Sequence, residues 1–123
     1  MGCDIHCFAE YKMKGKWRFA KEVDISRNYE LFARMAECGR NMDTVPISQN
    51  KGLPDDIDFM TGVCLDHSAD HSFSWLTGNE VIQLCKEFPE FRFDGDSLWW
   101  SWKEWPGPSY GIEDFRWVFG FDN

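Results

Sequence analysis

Three histidines occur in the chain, and each has an aspartate beside it or one residue away: Asp4-x-His6, Asp66-His67 and Asp70-His71. A carboxylate near an imidazole can fix its tautomer, raise its basicity or join it on a metal ion. Asp4, His6 and Glu10 stand at i, i+2 and i+6, so an extended chain projects all of them from one face. Asp4 and His6 would then lie about 7 Å apart along the strand, near enough to share an ion, with Glu10 further along as a general base or supporting group. His67 and His71 are four apart, which on a helix puts both on one side, as in H-E-x-x-H sites. The plainer alternative for the first set is the solvated side of an amphipathic hairpin. For residues 66–71 it is a polar loop.

Other residues suggest ligand contacts. Arg27 and Asn28 precede a helical pattern, where free backbone N–H groups and the helix dipole favour anions. An arginine there could clamp a phosphate or carboxylate; the alternative is a helix cap with a surface arginine. Trp75, or a tryptophan of the later cluster such as Trp99, could stack on a base or sugar, although aromatics at helical spacing also serve as core or interface. Nucleophilic catalysis has thinner support. Ser72 and Ser74 follow His71 in His-Ser-Phe-Ser-Trp, yet no G-x-S-x-G turn occurs. Cys3 and Cys7 fall on the apolar parity of their strand, which points to buried, inert thiols.

The elements that must position these residues can be read from periodicity. Residues 3–12 alternate as a strand does, Gly15 marks a turn, and Trp17 to Ala20 resume a strand, giving an antiparallel hairpin. Ile25 to Cys38 switch to helical spacing, with Ser26 or Asn28 as N-cap and Gly39 as stop. Pro54 could open a short second helix with Ile57, Met60 and Cys64 on one side. Ser72 to Leu76 read as a short extended piece. Thr77-Gly78-Asn79-Glu80 is a capping-box pattern ahead of a helix that ends before Pro89. Trp99, Trp100, Trp102 and Trp105 precede a Pro-Gly-Pro break, with Leu98, Trp102 and Trp105 at helical spacing. Phe115, Trp117, Phe119 and Phe121 alternate as a closing strand expected to pair with the hairpin. The expected fold is α+β: a small antiparallel sheet of hairpin plus C-terminal strand, packed with two to four helices.

At 123 residues the chain is expected to form a single domain, residues 1–123. Apolar residues at 43% and aromatics at 17% allow a sizeable core. The net charge of −8, from 13 basic and 21 acidic residues, argues against non-specific nucleic-acid or anionic-membrane binding. Five cysteines without a C-x-x-C, and no signal-peptide pattern, fit reduced thiols and a cytoplasmic location. No apolar stretch approaches the roughly 18 residues of a membrane span. Met1-Gly2-Cys3 hints at myristoylation, but His6 stands where that motif wants Ser or Thr.

The opening Met1-Gly2-Cys3-Asp4-Ile5-His6 with Glu10 resembles a family of small uncharacterised proteins of phages and bacteria that begin with this hexapeptide. Further matches are Arg27-Asn28-Tyr29-x-Leu31-Phe32-Ala33, Arg40-Asn41, Gly52-Leu53-Pro54, His71-Ser72-x-Ser74-Trp75-Leu76-Thr77 and Phe119-x-Phe121-Asp122-Asn123. The resemblance implies that Asp4, His6, Glu10, Arg27, Asn28, His71 and Trp75 are motif positions, and it implies a bacterial host cell as setting. It supplies no activity. Where the family usually has Gly-His-Ser-His-Ser-Trp, this chain has Asp70-His71-Ser72-Phe73-Ser74-Trp75, so Phe73 replaces one of two histidines; His67 is a conceivable substitute.

The leading expectation is a small metal-dependent hydrolase acting on a phosphoester or nucleotide-like substrate. Asp4, His6 and His71 would hold Zn²⁺ or Mn²⁺, Glu10 or Asp70 would take a proton from bound water, Arg27 would offset negative charge, and Trp75 would wall the pocket. The alternative is a non-catalytic binder that sequesters a phosphorylated, nucleotide-like ligand through Arg27, Asn28 and Trp75, or one that blocks a host defence protein. A homodimer through the aromatic segment fits either form of the alternative. The catalytic reading requires the outer side of the hairpin to be covered and His71 to reach it.

Overall fold

The computed structural model describes residues 2–39, 43–88 and 112–123. Strands β1 (Asp4–Met13) and β2 (Lys16–Val23) form the hairpin. Lys14 and Gly15 join them with φ of 53° and 80°. Two successive positive φ values match the twist of the flanking strands, and Gly15 takes the second without steric cost.

Helix α1 (Tyr29–Met35) follows, then α2 (Phe59–Ser68), β3 (His71–Thr77), α3 (Gly78–Glu87), a 3₁₀ turn (Ile112–Asp114) and β4 (Phe115–Asp122). All pairings are antiparallel, and the sheet order is β2-β1-β4-β3. The α+β expectation holds. The closing strand does pair with the hairpin, and it takes a central place because β3 adds on its other side.

Alternation divides the side chains between two faces. Cys3, ahead of β1, continues the parity of Ile5, Cys7 and Ala9, and these pack with Phe115, Trp117, Phe119 and Phe121 of β4 against Leu31, Phe32 and Met35 of α1 and Val81, Leu84 and Cys85 of α3. On the other face Phe8 and Val118 meet Leu65 of α2 and Ala69, with Phe19, Phe73 and Trp75 packed around them. With helices on both faces, β4 is buried along nearly its whole length. Each fully buried large apolar side chain contributes about 1.5–3 kcal/mol.

Several elements differ from the periodicity reading. Helix α1 begins only at Tyr29, because Asn28 is extended and its side-chain oxygen accepts the Leu31 N–H at 3.1 Å. It stops at Met35, where Ala36 turns extended, so Ile25 and Cys38 join the core from outside the helix. Helix α2 starts after Asp58, whose side chain accepts the Met60 N–H, rather than at Pro54. Met60 is exposed there, apart from the partly buried Ile57 and Cys64. The capping box on α3 is complete: Thr77 Oγ1 accepts the Glu80 N–H, and Glu80 accepts the Thr77 N–H. Trp99, Trp100, Trp102 and Trp105, and the dimer expected through them, lie outside the described residues. Among the described residues no helix is long and apolar enough to cross a membrane.

Candidate functional site

The face of β1 that carries the acid and imidazole groups is covered at one end only. In the β1–β4 register Asp4, His6, Phe8 and Glu10 stand opposite Asp122, Gly120, Val118 and Arg116. Helix α2 closes over Phe8, and Glu10 is fully buried. Asp4 remains exposed and His6 is partly so.

Glu10 is held from three directions. Its Oε1 accepts Arg116 Nε at 2.8 Å and lies 2.7 Å from Nη2, and its Oε2 accepts the Asp58 N–H at 2.9 Å. Arg116 is only 3% exposed and also donates Nη1 to the largely exposed Asp56 carboxylate at 2.9 Å. This satisfaction is what makes burial of the charges tolerable. It also removes Glu10 from the role of general base, because its carboxylate is enclosed and ion-paired.

Arg116 lies between two tryptophans. Its guanidinium carbon is 4.0 Å from the Trp17 ring and 5.6 Å from the Trp75 ring. Lys12 Nζ sits 5.7 Å from Trp17, and Lys51 Nζ sits 4.1 Å from Trp75. Cations and indoles thus alternate across the sheet as Lys12, Trp17, Arg116, Trp75 and Lys51, each contact within cation–π range. Lys51 also donates to Glu80 at 2.8 Å. Burial pushes the Glu80 carboxyl up, but Lys51, the Thr77 N–H and Ser48 outweigh it and leave it below its ordinary value.

A cavity of about 320 Å³ opens beside this row. Trp17 and Trp75 line it, together with Phe115 and Arg116, the start of α3 at Thr77, Gly78 and Asn79, and Glu113 from the 3₁₀ turn. Its size lies at the lower end of the range, about 300–1,000 Å³, in which small-ligand sites fall. The capping box uses the N–H groups of Thr77 and Glu80, so those of Gly78 and Asn79 are the first-turn donors without a partner inside the helix.

The remaining expected site residues lie elsewhere. Both Asp4 oxygens are taken by Arg27, from Nε and Nη2 at 3.0 Å each. Arg27 holds the Asp4 carboxyl below its ordinary value. The guanidinium lies so close over Gly2 that a Cβ there would collide with it. Arg27 is therefore a clamp on Asp4 rather than on a phosphate, and Asn28 is the cap of α1. His6 Nε2 lies 2.7 Å from Asp122 Oδ2.

His71 does not reach His6, which corrects the expected convergence of Asp4, His6 and His71. The register steps from His71↔Phe121 to Ser74↔Phe119, three residues on β3 against two on β4. Ser72 absorbs the extra residue with φ of 57°. This bulge reverses the parity of the strand end and lays the His71 ring on Phe121, on the α1 side of the sheet. There Nδ1 is 2.8 Å from Ser72 Oγ, and Nε2 is 3.8 Å from the exposed Asp70 carboxylate, too long for a hydrogen bond. His67 is exposed on α2. Among the described residues no group of three or more His, Cys, Asp or Glu is placed to hold a metal ion, and Asp4, His6 and His71 do not fit Zn²⁺ or Mn²⁺.

Of the expected residues that are described, Trp75 alone lines the cavity. Trp17 and Arg116 escape a reading based on motifs. The signal that could have found Arg116 is a charge inside the apolar alternation of the closing strand, facing Glu10 once the register is known. Comparison of the chain with protein families, with curated proteins and with solved structures finds no match.

Proposed function

We propose that the chain is a non-catalytic binder of a small planar ligand, a nucleotide-like ring held in the cavity that Trp17, Trp75 and Arg116 line from one side. The observation that carries this reading is the juxtaposition of two indoles, a buried guanidinium and the start of α3 around one opening. A base against an aromatic side chain gains about 1–3 kcal/mol. The Gly78 and Asn79 N–H groups suit ring acceptors, and Glu113 suits an exocyclic amino group. Arg116 already shares its charge between Glu10 and Asp56, so recognition falls on the ring, and a phosphate would point to solvent. In the phage setting that the sequence resemblance suggests, such a protein would withdraw a host signal molecule.

The metal-dependent hydrolase draws less support from the geometry. Its three ligands are divided between two faces, Glu10 is enclosed, and Asp70 stands by His71 on the far side.

Calorimetric titration with the four common nucleosides and their 5′-monophosphates tests the binder. At least one nucleoside should bind, its monophosphate should bind within a few-fold of it, and Trp75→Leu should weaken both by about ten-fold or more, given the value of one stacked base. Absence of binding by every member of the series, or binding unaffected by Trp75→Leu, overturns the reading.

A further inference from the structure

Helix α2 has a second apolar side that the described residues leave open. Thr61 and Leu65 are fully buried against the sheet, while Phe59 is 83% exposed and Met60 51% exposed in its first turn. Val63 continues this outer stripe one turn on and is half-buried. Two large apolar side chains in succession at such exposure are unusual unless something covers them.

The stretch of sequence that carries them has charge of one sign. Asp55, Asp56, Asp58 and Asp66 fall within residues 52–66, which contain no Lys or Arg. Asp56 is engaged by Arg116, and Asp58 caps Met60. Asp55 and Asp66 are exposed and make no ion pair among the described residues. The carboxylates outweigh the roughly half positive charge of a helix start.

We propose that the start of α2 is a docking face for a cationic protein segment that places an apolar side chain against Phe59 and Met60 and its Lys or Arg residues beside Asp55 and Asp66. A second copy of this chain is disfavoured as occupant, because a two-fold contact would set the same aspartates against each other. Nucleic acid and anionic lipid meet the same repulsion. The patch is small against the roughly 800 Å² per partner of a stable interface, which suits a short segment with Phe59 as the anchor. This inference is independent of the cavity beside the tryptophans.

The test uses the full chain and two synthetic amphipathic helical peptides, one of Leu and Lys and one of Leu and Glu. The Leu/Lys peptide should bind, more weakly as salt rises, and the Leu/Glu peptide should not. Phe59→Ser, a change at an exposed position that leaves the core intact, should weaken binding by about ten-fold, as loss of an anchoring aromatic commonly does. Asp55→Asn with Asp66→Asn should weaken it as well. Failure of the Leu/Lys peptide to bind overturns the proposal, and so does binding unchanged by Phe59→Ser. A wild-type dimer in sedimentation that Phe59→Ser converts to monomer also overturns it, by giving the face to a second copy.

Discussion

Glu10 and Arg116 stand directly opposite each other in the two central strands, and both charges are closed off from solvent with Oε1 of the acid between Nε and Nη2 of the base. The pair connects the sheet to α2 through the Asp58 amide and to the aromatic row through Trp17 and Trp75.

Removing one partner should be costly. Glu10→Ala leaves a buried guanidinium with, among the described residues, the exposed Asp56 as its remaining ion-pair partner, and an expected loss of about 3–5 kcal/mol follows from an uncompensated buried ion. Replacing both, with Glu10→Leu and Arg116→Met, should cost less than the single change. Urea unfolding of the three variants checks this, and a double variant no more stable than Glu10→Ala would refute it.

Gly120 should tolerate no side chain. A Cβ there would lie 2.7 Å from Phe73 Cδ1 and 2.9 Å from the Ala69 Cβ. Gly120→Ala should destabilise the fold by about 1–3 kcal/mol through overpacking. Phe73→Leu in the same background should recover part of that loss. Thermal melting of the single and double variants measures both effects.

Phe73→His should create a metal site from residues that the described part of the parent chain does not bring together. Phe73 lies against Gly120, the residue facing His6, and His6 is already paired with Asp122. An imidazole at 73 would add a third ligand on that face. Zinc titration should find tighter binding by the variant than by the parent, and His6→Ala in the variant should abolish the gain. Equal zinc affinity in variant and parent would count against this placement.

Acid should weaken the strap between α1 and α3. Arg34 donates Nε and Nη2 to the two Glu87 oxygens at 2.7 and 2.9 Å. Arg34 first, and then Gln83, lower the Glu87 carboxyl from 4.5 to about 2. A carboxylate with a depressed folded-state pKa stabilises the fold above its unfolded value, and that stabilisation is lost as pH falls. The advantage of the parent over Glu87→Gln should therefore be full above about pH 5 and fade towards pH 2. The pair is partly solvated, so its size should be about 0.2–1 kcal/mol. A stability difference that stays constant from pH 5 to pH 2 would contradict it.

Legibility followed the range of the interaction. The hairpin turn at Gly15, the Thr77–Glu80 box and the alternation of Phe115 to Phe121 are local patterns, and each marks its element correctly. Asn28 was visible as a cap, and that is the role it fills. The site depended on pairings between distant segments. No local pattern tells that Arg116 faces Glu10 or that Trp17 and Trp75 reach the same guanidinium from two outer strands. The single extra residue at Ser72 moved His71 to the opposite side of the sheet, and a parity count along an uninterrupted strand could not foresee it.

The central seam of the sheet joins residues very far apart in the chain, with the Asp4 amide reaching Asp122 across a separation of 118 positions. The hairpin and α3 have what they need close by, so they can form early. The pairing of β4 with both β1 and β3 must wait for a long search. Refolding should accordingly be slow for a domain of this size, with β1 and β3 left as unmatched edges until the final strand slots between them.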